Sequence, residues 1–173
     1  MTQNELNTFL AIWDIEAKKT GALLKALPQG KYDFRPDAGG RSLGELAWHL
    51  AEGDAYMSMG VAEGGFSMGM KPPGIERPRE IAALAPGYER VHAEAVARIK
   101  PLSLEQLSRK IPFLMGKELS GGEILWNGVL YHHIHHRGQL SILSRMAGGV
   151  VPGMYGPNRE ETDAMKAAAV GKK

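Results

Sequence analysis

Four of the six histidines fall within five residues, as His132, His133, His135 and His136 in the stretch YHHIHHRGQL. Imidazole is the commonest metal-binding side chain, and residues four apart on a helix share one face with Cβ atoms ~5–6 Å apart. Within the cluster only His132 and His136 have that spacing. Two imidazoles so placed can converge on one ion at nitrogen distances of about 2.0–2.1 Å. A third ligand is available in His49, at the middle of another predicted helix beside Leu46 and Leu50. Three neutral imidazoles leave further coordination positions for water or a substrate atom, the arrangement of a catalytic rather than a closed structural site. His49, His132 and His136 are therefore the candidate ligands of one divalent ion.

Other residues receive plainer readings. A single helical histidine is more often a core or surface residue than a ligand, which is the reading of His92, and His133 and His135 fall to either side of the 132/136 stripe. Glu52 and Asp54, one turn beyond His49, are read as surface charge with supporting contacts to His49 as the alternative. The HExxH pattern of zincin proteases is absent, because His133, Ile134 and His135 fill the interval. Without cysteine, thiolate ligands, disulfides and cysteine nucleophiles are all excluded, so any thiol would have to come from outside.

These side chains need elements to carry them, and the pattern predicts an all-α chain. Leu6, Trp13, Ala17, Leu24 and Leu27 recur at helical spacing after a Thr2/Glu5 capping box, and Pro28 and Gly30 end the run. Tyr32 and Phe34 are expected to tuck under the bundle. Ser42 and Glu45 open a second helix with Leu43, Leu46, Leu50 and Met57 on its apolar face. A glycine- and methionine-rich loop comes next. A substrate-sized pocket lined by it with Tyr56 and Met57 would favour an enzyme. The stripe Ile81, Leu84, Tyr88, Val91, Ala95 and Ile99 marks a third helix, which Pro86 should kink or restart. KIPFLMGKEL is a small hairpin or irregular loop. Ser120 and Glu123 start a fourth helix that lasts to about Ala147, with Leu125, Val129, His132, His136, Leu140 and Leu143 on the buried stripe.

At 173 residues the expectation is one domain over 1–173, burying roughly 70% of its unfolded surface, with a tail from about residue 158 loosely packed. The net charge of +2 and the lack of any basic run argue against nucleic acid as a partner. No stretch reaches the ~18 apolar residues of a membrane span, and the N-terminus lacks a secretory pattern, so a cytoplasmic location is expected.

Three stretches, LPQGKYDFRPDAGGRSLGELAWHLAE, YHHIHHRGQLSILSRMAGG and VVPGMYGP, resemble the DinB-like superfamily, which includes the YfiT-like proteins and bacterial thiol-dependent S-transferases. The resemblance implies a four-helix bundle with up-down-down-up connectivity, commonly a homodimer. It also implies a nickel or zinc ion on three histidines, which fall on His49, His132 and His136. Arg137 and Gln139 follow the family pattern and are read as structural, the guanidinium pairing with a carboxylate on a neighbouring helix. The implied function is a metal-dependent enzyme activating a low-molecular-weight thiol cosubstrate for transfer, or water for hydrolysis. Its rivals are a non-catalytic metal-binding protein of stress response or structure, and a bundle acting through its dimer surface.

Overall fold

The computed structural model describes residues 1–113 and 116–170. Four long helices dominate. The first three are α1 (Gln3–Lys25), α2 (Leu43–Glu63) and α3 (Ile81–Ile99). A short α4 (Leu104–Ser108) and a hairpin of β1 (Lys110–Pro112) with β2 (Glu118–Ser120) precede the fourth long helix, α5. That helix is a run of three pieces: Gly121–Ile124, a π-helical Leu125–Tyr131, and His132–Met146. A last helix, α6 (Arg159–Val170), comes after an irregular strap. No helix among the described residues is long and apolar enough to cross a membrane.

The starts obey the capping chemistry of the sequence. Thr2, Ser42 and Ser120 each accept from the third residue of their helix, while Glu5, Glu45 and Glu123 reach back to the cap backbone. The hairpin pairs Ile111 with Leu119 and buries Ile111; Leu114 and Met115 lie outside the described residues. Pro86 neither stops nor restarts α3, which is continuous through it. Lying in the second turn, the proline costs one backbone hydrogen bond and leaves the rest of the ladder intact.

The direction of each helix can be read from the two halves of the core. One half gathers Leu23 and Leu24 of α1, Leu43 and Leu46 of α2, Ile81 and Leu84 of α3, and Leu140 and Leu143 of α5. The other holds Leu6 and Phe9, Val61, Ala95 and Ile99, and Leu125 and Val129. Hence α1 and α5 run from the second half to the first while α2 and α3 run the opposite way, the up-down-down-up order. Because α2 and α3 are parallel neighbours, residues 64–80 must travel back along the bundle. This crossover is pinned by buried Ile75, whose carbonyl accepts from the Trp48 indole at 2.8 Å. Tyr32 lies under the start of α2 so closely that a Cβ on Gly44 would stand 2.2 Å from its ring, which only glycine permits. Phe34 packs against the same half of the core.

Two sequence expectations are corrected by the π-helical segment. The buried face of α5 continues through His133, Arg137, Leu140 and Ser144, while His132 and His136 are half-buried. An α-period carried from Leu125 places 132 and 136 inside; the wider π turns absorb an extra residue and rotate the rest of the helix, so 133 and 137 come to the core instead. The strap after α5 buries Val151, and Asn158 donates to the Val151 carbonyl at 2.7 Å. α6 buries no residue and is held by Glu160, which takes two hydrogen bonds from Arg145 at 2.6 and 2.8 Å.

Candidate metal centre

The rotated α5 sets His132 and His136 at the groove facing α2, one helical turn apart, and α2 presents His49 to them. One ring nitrogen from each of the three lies within 4.8 Å of the others. The Nε2 atoms of His132 and His136 are 3.0 Å apart. Two nitrogens on one tetrahedral zinc stand roughly 3.3 Å apart, given bonds of about 2.0–2.1 Å, so the pair is close to the spacing an ion requires. The His132 ring rests over Gly53, where a Cβ would meet its Nδ1 at 3.6 Å.

The chemistry of the donor set also fits a cation. His49 Nδ1 lies 3.4 Å from Glu52 Oε2, and Arg77 of the crossover grips the same carboxylate at 2.7 and 3.1 Å. His136 Nδ1 lies 2.7 Å from Gln139 Oε1. An acceptor opposite Nδ1 favours the tautomer that carries its proton there and leaves the Nε2 lone pair free for an ion, as partners of metal-bound histidines do. Burial and the neighbouring imidazoles push His132 down to about 4, which keeps it neutral, and its lone pairs available, at neutral pH. Burial, His49, His135 and Arg41 also lower His136 against the opposing effect of Gln139. Burial alone would raise Glu52, but His49 and Arg77 outweigh it and hold the carboxyl at about 2.

The surface-charge readings of Glu52 and Asp54, and the purely structural reading of Gln139, do not survive. Glu52 and Gln139 each stand three residues beyond a triad histidine, and that repeated spacing was the available signal. Asp54 is fully buried and accepts from all sides. Trp13 Nε1 of α1 lies 3.3 Å from it, His92 Nδ1 and Tyr88 Oη of α3 lie at 3.1 and 3.4 Å, and His133 Nδ1 of α5 lies at 3.3 Å. Burial opposes its ionisation, yet His133 and His92 outweigh it and keep the carboxyl well below its usual range. Its place on the stripe Ala47, Leu50, Ala51, Asp54, Ser58, Val61 could have revealed it. Of the core and surface places expected of it, His92 takes the core one, and its Nε2 has no partner among the described residues. His133 completes its bonding on Thr20 Oγ1 at 2.7 Å, and His135 stays exposed. Arg137 does pair with a carboxylate of a neighbouring helix, that of Glu16 on α1.

The sequence model of the DinB family matches residues 1–167. The chain belongs to the DinB family. The uncharacterised protein YrdA of Bacillus subtilis is 30% identical over 159 residues, covering 90% of this chain and 91% of its own. Among solved structures, the DinB-like protein YjoA of Bacillus subtilis is 21% identical with a TM-score of 0.68, the match covering 88% of this chain and 99% of that one. YfiT of Bacillus subtilis is 14% identical with a TM-score of 0.64, covering 86% and 90%. YfiT is described as a probable metal-dependent hydrolase with an unusual four-helix bundle topology. At those identities the two structures establish that this DinB chain shares their fold.

A cavity of about 450 Å³ opens one helical turn from the triad, whose three histidines do not line it. Gln139, the partner of His136, lines it together with Leu46, one turn before His49, and with Arg41, Ile142, Leu143 and Met146. The pocket beside the histidines is thus built from the 36–41 connection and the last turns of α5, not from Tyr56, Met57 and the glycine-rich loop.

Proposed function

We propose that this chain is a metal-dependent enzyme in which His49, His132 and His136 hold one divalent ion, zinc or nickel, that activates a small thiol or a water molecule. The convergence of three imidazole nitrogens within 4.8 Å, half-buried rather than sealed and beside a cavity, carries the reading. An ion held there would lower the pKa of a thiol or water that joined it and so supply a nucleophile at neutral pH. The protein's own part is orientation. Glu52 and Gln139 fix which nitrogen of His49 and His136 faces inward, and Arg77 keeps Glu52 ionised and in place. Both carboxylate oxygens of Glu52 are engaged, so it is a positioning group and not a free base.

The rival reading, an ion that only staples the helices, is less well supported because Asp54 already links α2 to the other three long helices. Elemental analysis of untagged protein, beside the combined His49→Ala, His132→Ala, His136→Ala variant, tests the site. Near-stoichiometric divalent metal is expected in the former and none in the latter; equal metal in both, or none in either, ends the proposal. Conjugation of a model electrophile to cellular thiols and hydrolysis of simple esters and amides are then monitored before and after chelation. Bound metal with no chelator-sensitive rate, and a melting temperature that falls with its removal, would leave the staple.

A further inference from the structure

The cavity beside the triad has a direction. Along α5, His136 is followed by Gln139, then by Ile142 and Leu143, then by Met146, each about one turn further from the histidines. On the α5 wall the polar Gln139 therefore stands nearest the triad and the apolar side chains stand further along. Ile142 and Met146 are 65% and 56% exposed, apolar surface that the chain itself leaves uncovered. In the 36–41 connection, just before the Ser42 cap of α2, Arg41 makes no ion pair and no hydrogen bond with any described residue. The other charged group in the wall, Asp37, is turned into its own loop and accepts from the Gly39 amide at 3.1 Å.

A guanidinium is a fixed, always-charged fork whose geometry matches a carboxylate, and unpaired on a cavity wall it favours an anionic partner. The volume is that of a small-molecule site, and an apolar cleft with few polar anchors is its ordinary composition. We propose that this cavity binds a small aliphatic carboxylate, its headgroup on Arg41 and its chain along Ile142, Leu143 and Met146. Resting on the enzymatic reading above, the inference is that the substrates carry a carboxylate and a short apolar chain. The binding itself does not require a metal.

The test uses hexanoate as the probe and hexanamide as its uncharged match, titrated calorimetrically into metal-loaded protein, chelator-stripped protein and the Arg41→Gln variant. Hexanoate is expected to bind loaded and stripped protein alike and to weaken about tenfold or more in Arg41→Gln, the loss expected for one charge-assisted contact, while hexanamide binds weakly to all. Met146→Asp should also weaken hexanoate by repelling its chain. Equal affinity in Arg41→Gln overturns the proposal. So does binding that vanishes on stripping but survives Arg41→Gln, since the carboxylate would then be sitting on the metal. Light scattering closes the remaining route: a dimer that Met146→Asp splits, with no hexanoate bound by either form, would assign the apolar wall to a second copy of the chain. Failure of the enzymatic reading would appear separately, as absent metal with hexanoate binding intact.

Discussion

Glu16 shows how one side chain can be indispensable without touching the candidate centre. Its carboxylate meets Arg137, buried in the core, together with Lys19 and the Tyr155 hydroxyl of the strap. Burial alone would raise the Glu16 carboxyl, but hydrogen bonds from Lys19, Tyr155 and Arg137 prevail and hold it at about 2. Glu16→Ala would strand the Arg137 charge in the interior, an error that costs about 3–5 kcal/mol, so a fall in melting temperature of about 10 °C is expected by circular dichroism. Because the folded pKa is depressed, the stabilisation is complete above the ordinary glutamate value of about 4.3 and fades as pH drops toward 2. The gap in melting temperature between wild type and Glu16→Gln should therefore narrow across that window. A gap that stays constant would show that the charge contributes nothing. At this scale the sequence was a good guide to some residues and a poor one to others. His49, His132 and His136 could be read from type and spacing, and the pairing of Arg137 from its place in the family pattern. Glu52, Asp54 and Gln139 were signalled only by an i+3 spacing and a place on a buried stripe, because the same carboxylates and amides are ordinary on any helix surface and gain their roles from what folds against them.

The elements were legible where local chemistry decides them. Three capping boxes, the proline and glycine stops and the 3.6-residue period all returned in the structure with shifts of a residue or two. The π-helical Leu125–Tyr131 did not, since nothing in LWNGVLY breaks an α-helical pattern and the extra residue is accommodated by packing. That segment yields an expectation about deletions. Removing exposed Asn127 should let the wide turns close to α-helix while everything downstream keeps its phase, leaving a folded protein whose metal content is close to that of wild type. Removing Ile134, between the two triad histidines of α5, rotates His136 by about 100° and should abolish metal binding. Elemental analysis and thermal melts on the two variants separate these outcomes. If both deletions behave alike, the π segment does not set the register of the triad.

On the scale of the whole molecule, the up-down-down-up arrangement brings every long helix to Asp54. One buried carboxylate thus serves as common acceptor for Trp13, Tyr88, His92 and His133, which the sequence separates by up to 120 positions. Asp54→Ala would leave several buried donors unsatisfied at about 1–3 kcal/mol each. A loss of at least about 3 kcal/mol is expected, with a chemical-denaturation midpoint well below that of wild type; a loss under about 1 kcal/mol would mean that the hub is dispensable. The parallel setting of α2 and α3 constrains the chain in another way. Residues 64–80 have to return along α2, about 32 Å at 1.5 Å per residue, and a fully extended chain needs roughly ten residues for that distance. The crossover has a few residues to spare, but they are not distributed evenly. Phe66 lies against Gly60, Ile75 is buried and Arg77 is committed to Glu52, whereas Met68 stands wholly in solvent. A foreign peptide grafted beside Met68 would lengthen only slack chain, whereas one grafted beside Arg77 would pull the carboxylate away from His49. The crossover thus offers one point at which a reporter could be attached without disturbing the histidines.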